Sequence, residues 1–471
     1  MGVCDYDVAI IGSGPGGYKC ALKAAKLGLK VVCVDKNSLL GGTCLRVGCI
    51  PSKALLDYSY KYYAAKNLFK NFGVTAKDVK FDLGKMFEVR SREIGALGAG
   101  IASLFSSAGV KRLCGTASVT RIIDGGFEVS VVHEDSSSCT LSAGKVVLAT
   151  GSVPASLPGI DIDEVNIMSS DGALHMDTPG KLLVIGGGAI GLEMSSVWSR
   201  LGAEVTVVEY ADCIAAGFDS EVSRALLGFL KQQGINFMLS HKVVSISETK
   251  GGRLSVSCTA LSSGEVSTVE VDKVLVSVGR RPNVDKAVSV DGLVLDDRGF
   301  VSVDRRYETS IKGIFAIGDV IGGVMLAHKA EMEGCAVARL ISGDGASNVD
   351  YGVIPAVIYT HPAVSSVGRS EDYVKSVGHN YRVGKSSFAA NGRARITGES
   401  EGFVKVVSCG NTGTILGVHI IGAHADTMIN EAVVALGYRA SSEDICHICH
   451  SHPDVNEVFR DACEVACCRK S

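Results

Sequence analysis

Two stretches of this chain repeat one pattern: an apolar strand, a glycine-rich turn, a helix and a second apolar strand that ends in an acid. In the first, the run YDVAII at 6–11 leads into GSGPGG at 12–17. The second, residues 181–210, reads KLLVIGGGAIGLEMSSVWSRLGAEVTVVEY. Asp35 follows Gly12, and Glu209 follows Gly186, by the same 23 residues. This is the pattern of a βαβ dinucleotide-binding unit, so we predict an α/β fold with two Rossmann-like dinucleotide-binding domains.

The glycines of the first turn have separate tasks in such a unit. Gly12 permits the tight turn, Gly14 lets the backbone approach a pyrophosphate, and Gly17 lets helix and strand pack closely. The phosphate lies at the positive N-terminus of the helix. A glycine-rich surface turn would look similar, but strand, helix and terminal acid all stand in the required order. The second turn repeats the spacing at Gly186, Gly188 and Gly191.

The two acids predict which nucleotides bind. Asp35 ends the second strand of the first unit, where a carboxylate can hold a ribose hydroxyl. Glu209 has the same place in the second unit, where it accepts from a ribose 2′-hydroxyl and repels a 2′-phosphate. The second unit is therefore expected to prefer NAD to NADP, although a solvated acid at a strand end is the alternative interpretation. Two units in one chain favour an enzyme that passes electrons between carriers.

A pair of cysteines, Cys44 and Cys49, follows the first unit in the segment GGTCLRVGCIPSK at 41–53. Thiols beside an electron carrier suggest redox chemistry. Five residues of regular helix rise about 7.5 Å, whereas a disulfide needs Cα atoms roughly 4.4–6.8 Å apart. We therefore expect a distorted helix start, and a helix N-terminus there would lower a thiol pKa. The residues that favour the distortion are Gly41, Gly42, Gly48 and Pro51.

Two further segments extend this organisation. The strand-like run that reaches Phe315 and Ile317 ends in Gly318-Asp319, a second place where a carboxylate can meet a nucleotide. From about residue 350 the chain alternates strand-like segments, 403–407 and 415–421, with helical ones. We predict a separate α+β domain with an antiparallel sheet there.

Composition excludes several classes of function. The 471 residues carry a scattered net charge of −3, which gives no basic surface for nucleic acid. No apolar run reaches the ~20 residues that a membrane helix needs. Most of the 16 cysteines stand singly in apolar runs, which favours a reducing compartment. No targeting segment precedes the first strand, so we expect a cytosolic protein or a processed form.

With both fingerprints, the cysteine pair and Gly318-Asp319 identified, the chain resembles the flavoprotein pyridine-nucleotide disulfide oxidoreductases over its whole length. Within that family it is most similar to the enzymes that reoxidise dihydrolipoamide. The segments that carry the resemblance are residues 41–53, GDVIGGVMLAHKAEMEG at 318–334, YTHPAVSSVG at 359–368 and HSHPDVNE at 450–457. The resemblance implies that the first unit binds FAD and the second NAD. It also implies a homodimer in which the partner's C-terminal domain completes each active site.

The resemblance further implies roles for single residues. Cys44 would be the interchange thiol, and Cys49 would pass electrons to the flavin. His452 would be the base that deprotonates the dithiol substrate, and Glu457 would orient its ring. Lys53 and Glu193 would form a charge pair beside the flavin, although Glu193 is equally compatible with a surface acid. The other expected nucleotide contacts are Thr150, Gly151, Asp319 and Ala327 for FAD and Gly279 for NAD.

The implied enzyme transfers reducing equivalents from protein-bound dihydrolipoamide to NAD, as a component of 2-oxoacid dehydrogenase or glycine-cleavage complexes. Its partners would be lipoyl domains, in the mitochondrial matrix or the cytoplasm. The expected domains are a discontinuous FAD-binding domain at 1–153 and 280–348, an NAD-binding domain at 154–279 and an interface domain at 349–471. No metal site is expected.

Some residues depart from the family pattern or suggest alternatives. Arg46 replaces a small polar residue between the cysteines, and Asp454 and Asn456 replace residues that are more often Thr and Ser. The motif Cys446-x-x-Cys449-His450 matches haem attachment or a metal site. The vicinal pair Cys467-Cys468 resembles the C-terminal cysteines of mercuric reductases and large thioredoxin reductases. A scaffolding subunit is the remaining alternative.

Overall fold

The computed structural model describes residues 4–284, 287–345 and 348–468. The chain divides into two units: the first consists of residues 1–54, 83–155 and 279–349, and the second of residues 55–82, 156–278 and 350–471. The division into three domains stays a prediction. The predicted fold class is confirmed, because both βαβ units form parallel sheets and an antiparallel α+β sheet follows them.

A seven-stranded sheet is the centre of the first unit. Its strands, in spatial order, are Lys111–Cys114, Val31–Asp35, Tyr6–Ile11, Ser138–Leu148, Gly126–Val132 and Thr116–Ile123, and Ile314–Ala316 also pairs with Ser138–Leu148. The strands of the βαβ unit run parallel, whereas the last two of this order pair antiparallel. A separate two-stranded ribbon joins Ser152–Pro154 to Arg280–Pro282. The ribbon thus lies just beyond the end of the central strand Ser138–Leu148.

Helices cover the sheet of the first unit. They are Pro15–Lys26, Gly42–Val47, Leu83–Ser107, Ala327–Ser342 and the 3₁₀ turn Gly318–Ile321. Successive side chains of a strand point to opposite sides. In strand Tyr6–Ile11, Ala9 and Ile11 belong to one core cluster, and Val8 and Ile10 belong to another, so the strand is buried on both faces. This double burial explains the uninterrupted apolar run in the sequence.

The second fingerprint builds the parallel sheet of the second unit. Its strands in spatial order are Asn236–Met238, Glu204–Val208, Lys181–Ile185, Lys273–Val276 and Ile167–Met168. A three-stranded antiparallel sheet follows, made of His241–Glu248, Leu254–Ala260 and Val266–Val271. The helices of this part are Ser170–Ala173, Ala189–Arg200 and Ser220–Gln232. Helix Cys49–Asn67 begins in the first unit and continues into the second, where the 3₁₀ turn Phe69–Phe72 comes after it.

The C-terminal part of the second unit is an antiparallel sheet packed with helices. The spatial strand order is Ala356–Ile358, Ala363–Gly368, Ile415–Gly422, Phe403–Cys409 and Tyr381–Ser387. The helices are Glu371–Ser376, Gly392–Thr397, Ala425–Gly437, Ser442–His447 and Glu457–Cys467, with 3₁₀ turns at Tyr351–Val353 and Phe388–Ala390. Phe459 and Ala462 of the last helix are buried in the core of this part. Both strand-like segments and the antiparallel pairing predicted here are confirmed.

A buried lysine joins elements of the second unit that are distant in sequence. The Lys405 side chain is 3% exposed, and its Nζ lies 3.0 Å from Asp219 Oδ1 and 2.6 Å from Glu371 Oε2. Asp219 is fully buried and caps helix Ser220–Gln232 by accepting from the Glu221 N–H. Burial alone would raise the pKa of Asp219, but His419 and Lys405 outweigh it and lower that pKa. The carboxylate therefore stays charged and paired.

Replacing this lysine is expected to destabilise the second unit. Lys405→Met leaves the Asp219 carboxylate buried with its paired cation removed, so the free energy of unfolding should fall by about 3–5 kcal/mol. The matched control is Lys385→Met, because Lys385 also binds Glu221 but its side chain is 43% exposed. That change should cost about 0–1 kcal/mol. Denaturant unfolding of the two variants beside the wild type measures the difference.

Equal losses in both variants would contradict the buried-pair interpretation. Acidification gives a second test of the same cluster. Because the pKa of Asp219 is lowered, its contribution is complete above the ordinary carboxyl pKa of about 3.9 and is lost as the pH falls below it. The wild type should therefore lose stability more steeply than Asp219→Asn on acidification.

Candidate functional site

The glycines of the first turn have two kinds of surroundings: two of them pack against backbone atoms, and one faces open space. Gly12 has φ +105°, and a Cβ there would meet the Ala149 carbonyl. A Cβ on Gly17 would meet the Gly12 carbonyl, so helix Pro15–Lys26 approaches the turn as closely as a glycine allows. At Gly14 nothing lies within 4 Å of the place that a Cβ would occupy. Gly14 therefore leaves room for a ligand at the N-terminus of the helix.

The second turn has the same arrangement. Gly186 has φ +109°, and a Cβ there would meet the Ser277 carbonyl. A Cβ on Gly191 would meet the Gly186 carbonyl, whereas nothing lies within 4 Å at Gly188. The roles predicted for the glycines from their spacing thus agree with their surroundings, and the two turns are built alike.

Both strand-end acids bind their own glycine turn. Asp35 Oδ2 accepts from the backbone N–H of Ser13 at 2.8 Å and from its hydroxyl at 2.7 Å. Glu209 Oε2 accepts from the Gly187 N–H at 2.5 Å, and its Oε1 from the Ala211 N–H at 2.8 Å. Each carboxylate therefore fixes the turn that follows the first strand. The predicted contacts of these acids with ribose remain predictions.

The redox segment is attached directly to the first glycine turn. The Gly41 N–H donates to the Ser13 carbonyl at 3.0 Å. Gly42 has φ +61°, and a Cβ there would meet the backbone of Gly14. A side chain at Gly42 would therefore push the segment away from the turn. Backbone contact thus places the cysteine pair beside the space at Gly14.

The helix is interrupted between the cysteines, as predicted. Cys44 lies in helix Gly42–Val47, which ends at Gly48, and Cys49 begins helix Cys49–Asn67. A Cβ on Gly48 would meet the Thr43 carbonyl and the backbone of Cys44, so a larger residue would force the two helices apart. Pro51 falls in the first turn of the second helix, where its missing N–H costs nothing.

The Cys44 and Cys49 side chains are hydrogen-bonded to each other. The hydrogen bond to Cys49, reinforced by burial, raises the pKa of Cys44, while Lys53 opposes the shift. The expectation that the helix start would lower the thiol pKa is therefore wrong for Cys44. A proton shared by two neighbouring, partly buried sulfurs is harder to remove than one at an isolated thiol. The hydrogen bond with Cys49 therefore keeps the proton on Cys44.

Three side chains form a series of hydrogen bonds that ends at Asp319, the acid predicted at a strand end. Arg280 Nε donates to Ser152 Oγ at 2.7 Å, and Ser152 Oγ donates to Asp319 Oδ2 at 2.5 Å. Sequence reasoning identified Asp319 but missed Ser152 and Arg280. These hydrogen bonds hold the Asp319 carboxylate in one orientation.

Residues beside this chain fit a bound nucleotide. Thr150 Oγ1 is buried and has no hydrogen-bond partner among the described residues. Asn283 binds the carbonyls of Gly151 and Thr150 at 2.9 and 3.2 Å, and Gly151 has φ +70° with open space at its side-chain position. A buried polar atom without a partner is unfavourable unless a ligand satisfies it. With the space at Gly14, these residues fit the expected flavin nucleotide.

A buried ion pair supports the loop that carries Asp319. The Lys329 and Glu333 side chains are 2% and 0% exposed and lie 3.3 Å apart. Lys329 Nζ donates to the carbonyls of Gly318 and Gly322, and Glu333 accepts from the Gly318 N–H at 2.7 Å. The i,i+4 spacing of the pair on helix Ala327–Ser342 is the signal by which the sequence could have revealed it.

The predicted base and its orienting acid are brought together in the second unit. His452 Nδ1 lies 3.1 and 3.2 Å from the two oxygens of Glu457, which also accepts from the Asp454 N–H at 3.1 Å. A carboxylate only accepts, so Nδ1 carries the proton and Nε2 is free to take another. The Asp454 hydrogen bond, with that of His452, lowers the pKa of Glu457. The His452 side chain is 78% exposed.

The remaining predicted residues lie in separate places. Glu193 is 3% exposed in helix Ala189–Arg200 and accepts from the Tyr359 N–H at 3.0 Å, which makes it a buried acid instead of a surface one. Lys53 belongs to the first unit, so the Lys53–Glu193 pair stays a prediction. Ala327 begins helix Ala327–Ser342. Gly279 has φ +118°, and its carbonyl accepts from the Ala155 N–H.

The alternative motifs have other partners in the structure. His450 Nε2 lies 2.8 Å from Glu431, and Cys446 Sγ lies 4.0 Å from Cys467 Sγ. Between residues 4 and 468, apart from the gaps named above, no group of three or more His, Cys, Asp or Glu is placed to hold a metal ion. In the same residues no helix has the length and apolar character to cross a membrane. Arg46 Nε is buried without a hydrogen-bond partner there, and the structure does not explain this residue.

Two family models match the chain. Residues 6–334 match the model described as pyridine nucleotide-disulphide oxidoreductase. Residues 354–463 match the dimerisation domain of the same group. Together they span nearly the whole chain.

Two curated relatives of this chain carry the same name. The chain is 46% identical over 462 residues to "Dihydrolipoyl dehydrogenase, mitochondrial" of Sus scrofa, covering 97% of this chain and 90% of that protein. It is 45% identical over 463 residues to the Homo sapiens protein of the same name, with the same coverage.

Solved structures share the fold. LpdA from Mycobacterium tuberculosis matches with a TM-score of 0.89 at 24% identity, over 97% of this chain and 98% of that one. The flavoprotein disulfide reductase RclA from Escherichia coli, solved as a Cu(II) complex, matches with a TM-score of 0.85 at 23% identity, over 98% and 99% of the two chains. At such identities these structures support the fold alone.

An added methyl group should have different effects at the two kinds of glycine: lower stability at a packed glycine, and weaker nucleotide binding at a glycine that faces open space. Gly191→Ala places a Cβ against the Gly186 carbonyl, so it should lower the thermal unfolding midpoint. Gly188→Ala, the matched variant, meets no atom of the protein, so the fold should be unchanged. A methyl in the ligand's space should nevertheless weaken pyridine-nucleotide binding by about tenfold or more, roughly 1.4 kcal/mol.

Thermal unfolding and NADH fluorescence titration separate the two effects. If Gly188→Ala bound NADH as tightly as the wild type, the open space at that glycine would not be the nucleotide site.

Proposed function

Because the chain belongs to the pyridine nucleotide-disulphide oxidoreductase family, we propose that it is a dihydrolipoyl dehydrogenase, an FAD-containing enzyme that reoxidises dihydrolipoamide to lipoamide and reduces NAD. The observation that carries the assignment is the backbone contact of the cysteine segment with the first glycine turn: Gly41 N–H to Ser13 carbonyl, and Gly42 against Gly14. It joins a thiol pair to a nucleotide site, as electron transfer requires.

The chain's own residues would hold each cofactor. Gly12, Gly14, Thr150 and Asp319 would hold FAD, and Gly186, Gly188 and Glu209 would hold NAD. When bound, FAD accepts an electron pair from the cysteines and supplies hydride to NAD. The Asp35 and Glu209 carboxylates stiffen the two turns, so neither turn has to order when its nucleotide binds.

Disulfide exchange is the work of the cysteine pair. In the oxidised enzyme a Cys44–Cys49 disulfide is attacked at Cys44 by one sulfur of dihydrolipoamide, and Cys49 leaves as a thiolate. The second substrate sulfur then attacks the sulfur bound to Cys44, which releases lipoamide and leaves Cys44 as a thiol. Both cysteines are then free, with a hydrogen bond from Cys44 to Cys49. The hydrogen bond between Cys44 and Cys49 in the structure supports this assignment.

Proton removal from the substrate is assigned to His452. A dithiol attacks only as a thiolate, and an ordinary thiol is mostly protonated at neutral pH. With Nδ1 bound to Glu457, the imidazole Nε2 accepts the proton, and the carboxylate stabilises the charged ring that results. The high exposure of His452 suits a residue that completes the active site of the second subunit.

The protein is proposed to work as a homodimer on lipoyl domains of 2-oxoacid dehydrogenase or glycine-cleavage complexes. The dimerisation domain matched at 354–463 includes His452 and Glu457 and supports the dimer. The relatives are named as mitochondrial proteins, which favours the mitochondrial matrix over the cytoplasm as the compartment.

Removing the thiol assigned to the flavin tests the proposal. Cys49→Ser should keep the yellow flavin but lose dihydrolipoamide-dependent NAD reduction by about 10³-fold or more, because no disulfide can form. The matched control is Cys213→Ser, which changes an exposed cysteine and should retain full activity. Steady-state NADH formation and the flavin absorption spectrum are the measurements. Retained activity in Cys49→Ser would contradict the mechanism, whereas a colourless wild-type protein would contradict the cofactor.

The orienting role of Glu457 predicts a smaller defect. Glu457→Gln should lower kcat by about 10-fold to 100-fold, less than the roughly 10²–10⁴ that a general base supplies. The control Asp461→Asn neutralises a partly exposed acid one turn further along the same helix. Because the pKa of Glu457 is lowered, its carboxylate is already charged well below neutral pH. The defect should therefore be constant between about pH 6 and pH 8.

Rates of both variants over that pH range provide the test. A kcat of Glu457→Gln equal to that of Asp461→Asn would show that the carboxylate does not orient the base.

A further inference from the structure

A second pair of thiols lies outside the site described so far. Cys446 is in helix Ser442–His447, and Cys467 is the last residue of helix Glu457–Cys467. Their sulfurs are 4.0 Å apart. Both residues are partly exposed free cysteines. The sequence presented these two cysteines in different motifs, Cys446 in C-x-x-C-H and Cys467 in a vicinal pair, and the fold joins them to each other instead.

We propose that Cys446 and Cys467 are a redox-modification site, at which a small hydroperoxide converts the two thiols to a disulfide. The sulfurs need to move about 2 Å to reach the S–S bond length of ~2.05 Å. The two helices already pack against each other, so a change of side-chain rotamer provides most of that movement. The proposal is independent of the reaction proposed above.

The other cysteines of this region are less suitable. Cys463 lies one turn before Cys467 but is fully buried in the core, where a soluble oxidant has no access. Cys449 and Cys468 are exposed. The Cys449 sulfur lies 3.7 Å from the His450 carbonyl oxygen, which offers no partner for a disulfide. Among the described C-terminal residues, Cys446 and Cys467 combine access from solvent with a neighbouring sulfur.

The reaction balances with hydrogen peroxide as the oxidant. One thiolate attacks a peroxide oxygen, the O–O bond breaks, and a sulfenic acid forms with release of water. The second sulfur then attacks the sulfenic sulfur, the S–O bond breaks, and a second water leaves. The two sulfurs lose two electrons in total, which reduce the peroxide, and both thiol protons end in water.

The surroundings predict a slow reaction at neutral pH. Burial raises the pKa of Cys446 to about 12 and also raises that of Cys467. Because only a thiolate attacks peroxide, the rate should increase as the pH rises above neutral. The charged groups that face the pair are Glu443, Glu464, Arg460 and Arg382, from both helices and the adjacent strand. The pair is therefore suited to sustained oxidation and not to rapid turnover.

The position of the pair gives the disulfide a consequence. The two helices flank the connecting residues 448–456, which carry His452, and Glu457 begins the second helix. A bond between Cys446 and Cys467 closes this segment covalently at both ends. Oxidation should thus hold the base-bearing segment in place, and reduction should release it.

Mapping the linkage tests the proposal. The full-length holoenzyme is treated with hydrogen peroxide, remaining thiols are blocked with N-ethylmaleimide, and peptides are analysed by mass spectrometry. We expect a peptide linked through Cys446 and Cys467 in the wild type and in the matched control Cys468→Ser. It should disappear on reduction and be absent from Cys446→Ser, where Cys467 should instead carry a sulfenic acid. A Cys467–Cys468 or Cys446–Cys449 linkage, or full alkylation of Cys446 after treatment, would overturn the proposal.

A stability measurement tests the consequence separately. Oxidation should raise the thermal unfolding midpoint of the wild type and of Cys468→Ser by about 2–4 °C, and that of Cys446→Ser not at all. If the linked peptide formed but the midpoint of the wild type did not change relative to Cys446→Ser, the disulfide would not hold the segment. Neither measurement uses dihydrolipoamide, so a failure here leaves the proposed reaction unaffected.

Discussion

One close approach of backbones determines the chemistry of this chain. The segment that carries the redox cysteines lies against the first glycine turn through the Gly41–Ser13 hydrogen bond, with Gly42 beside Gly14. A Cβ on Gly42 would meet the backbone of Gly14, and one on Gly41, which has φ +106°, would meet the Leu45 side chain, so glycine is favoured at both positions. Because the turn itself is fixed by Asp35, the cysteines are held by rigid backbone rather than by side chains. Such rigidity matters in electron transfer, where distance and orientation between donor and acceptor have to be constant.

The second fingerprint repeats two features of the first with different residues: an acid that binds the glycine turn, and a middle glycine that faces open space. Glu209 binds the Gly187 N–H as Asp35 binds that of Ser13, and in both turns the middle glycine of the fingerprint faces open space. An acid of either length therefore holds a turn in the shape that a dinucleotide needs. The carboxylate that we expect to select the ribose also shapes the phosphate turn, so we expect a change at Glu209 to affect both functions at once.

The sequence predicted the local backbone structure well and the side-chain hydrogen-bond networks poorly. Strand, turn and helix of each fingerprint and the interruption at Gly48 follow from local spacing, which the fold preserves. The contact of His452 with Glu457 was instead implied by the family resemblance. The Arg280–Ser152–Asp319 chain and the contacts of Lys405 join residues far apart in sequence, and no local pattern announces them. The predicted direction of the pKa shift of Cys44 was wrong for a related reason. Helix position is a local property, whereas the hydrogen bond to Cys49 and burial depend on tertiary packing and outweigh it.

The two thiol pairs show how the same chemistry is set to different tasks. Cys44 and Cys49 stand five residues apart on a helix broken by glycine, beside Lys53, whose charge favours the thiolate of Cys44 against the effects of burial and of Cys49. Arg460 and Arg382 have a comparable effect near Cys446 and Cys467, but Glu443 and Glu464 oppose it. The pKa of Cys44 and that of Cys446 are both raised, so the charges around them do not separate the two pairs. Their places in the fold do: Cys44 and Cys49 belong to the segment that lies against the first glycine turn, whereas Cys446 and Cys467 lie between two helices of the second unit.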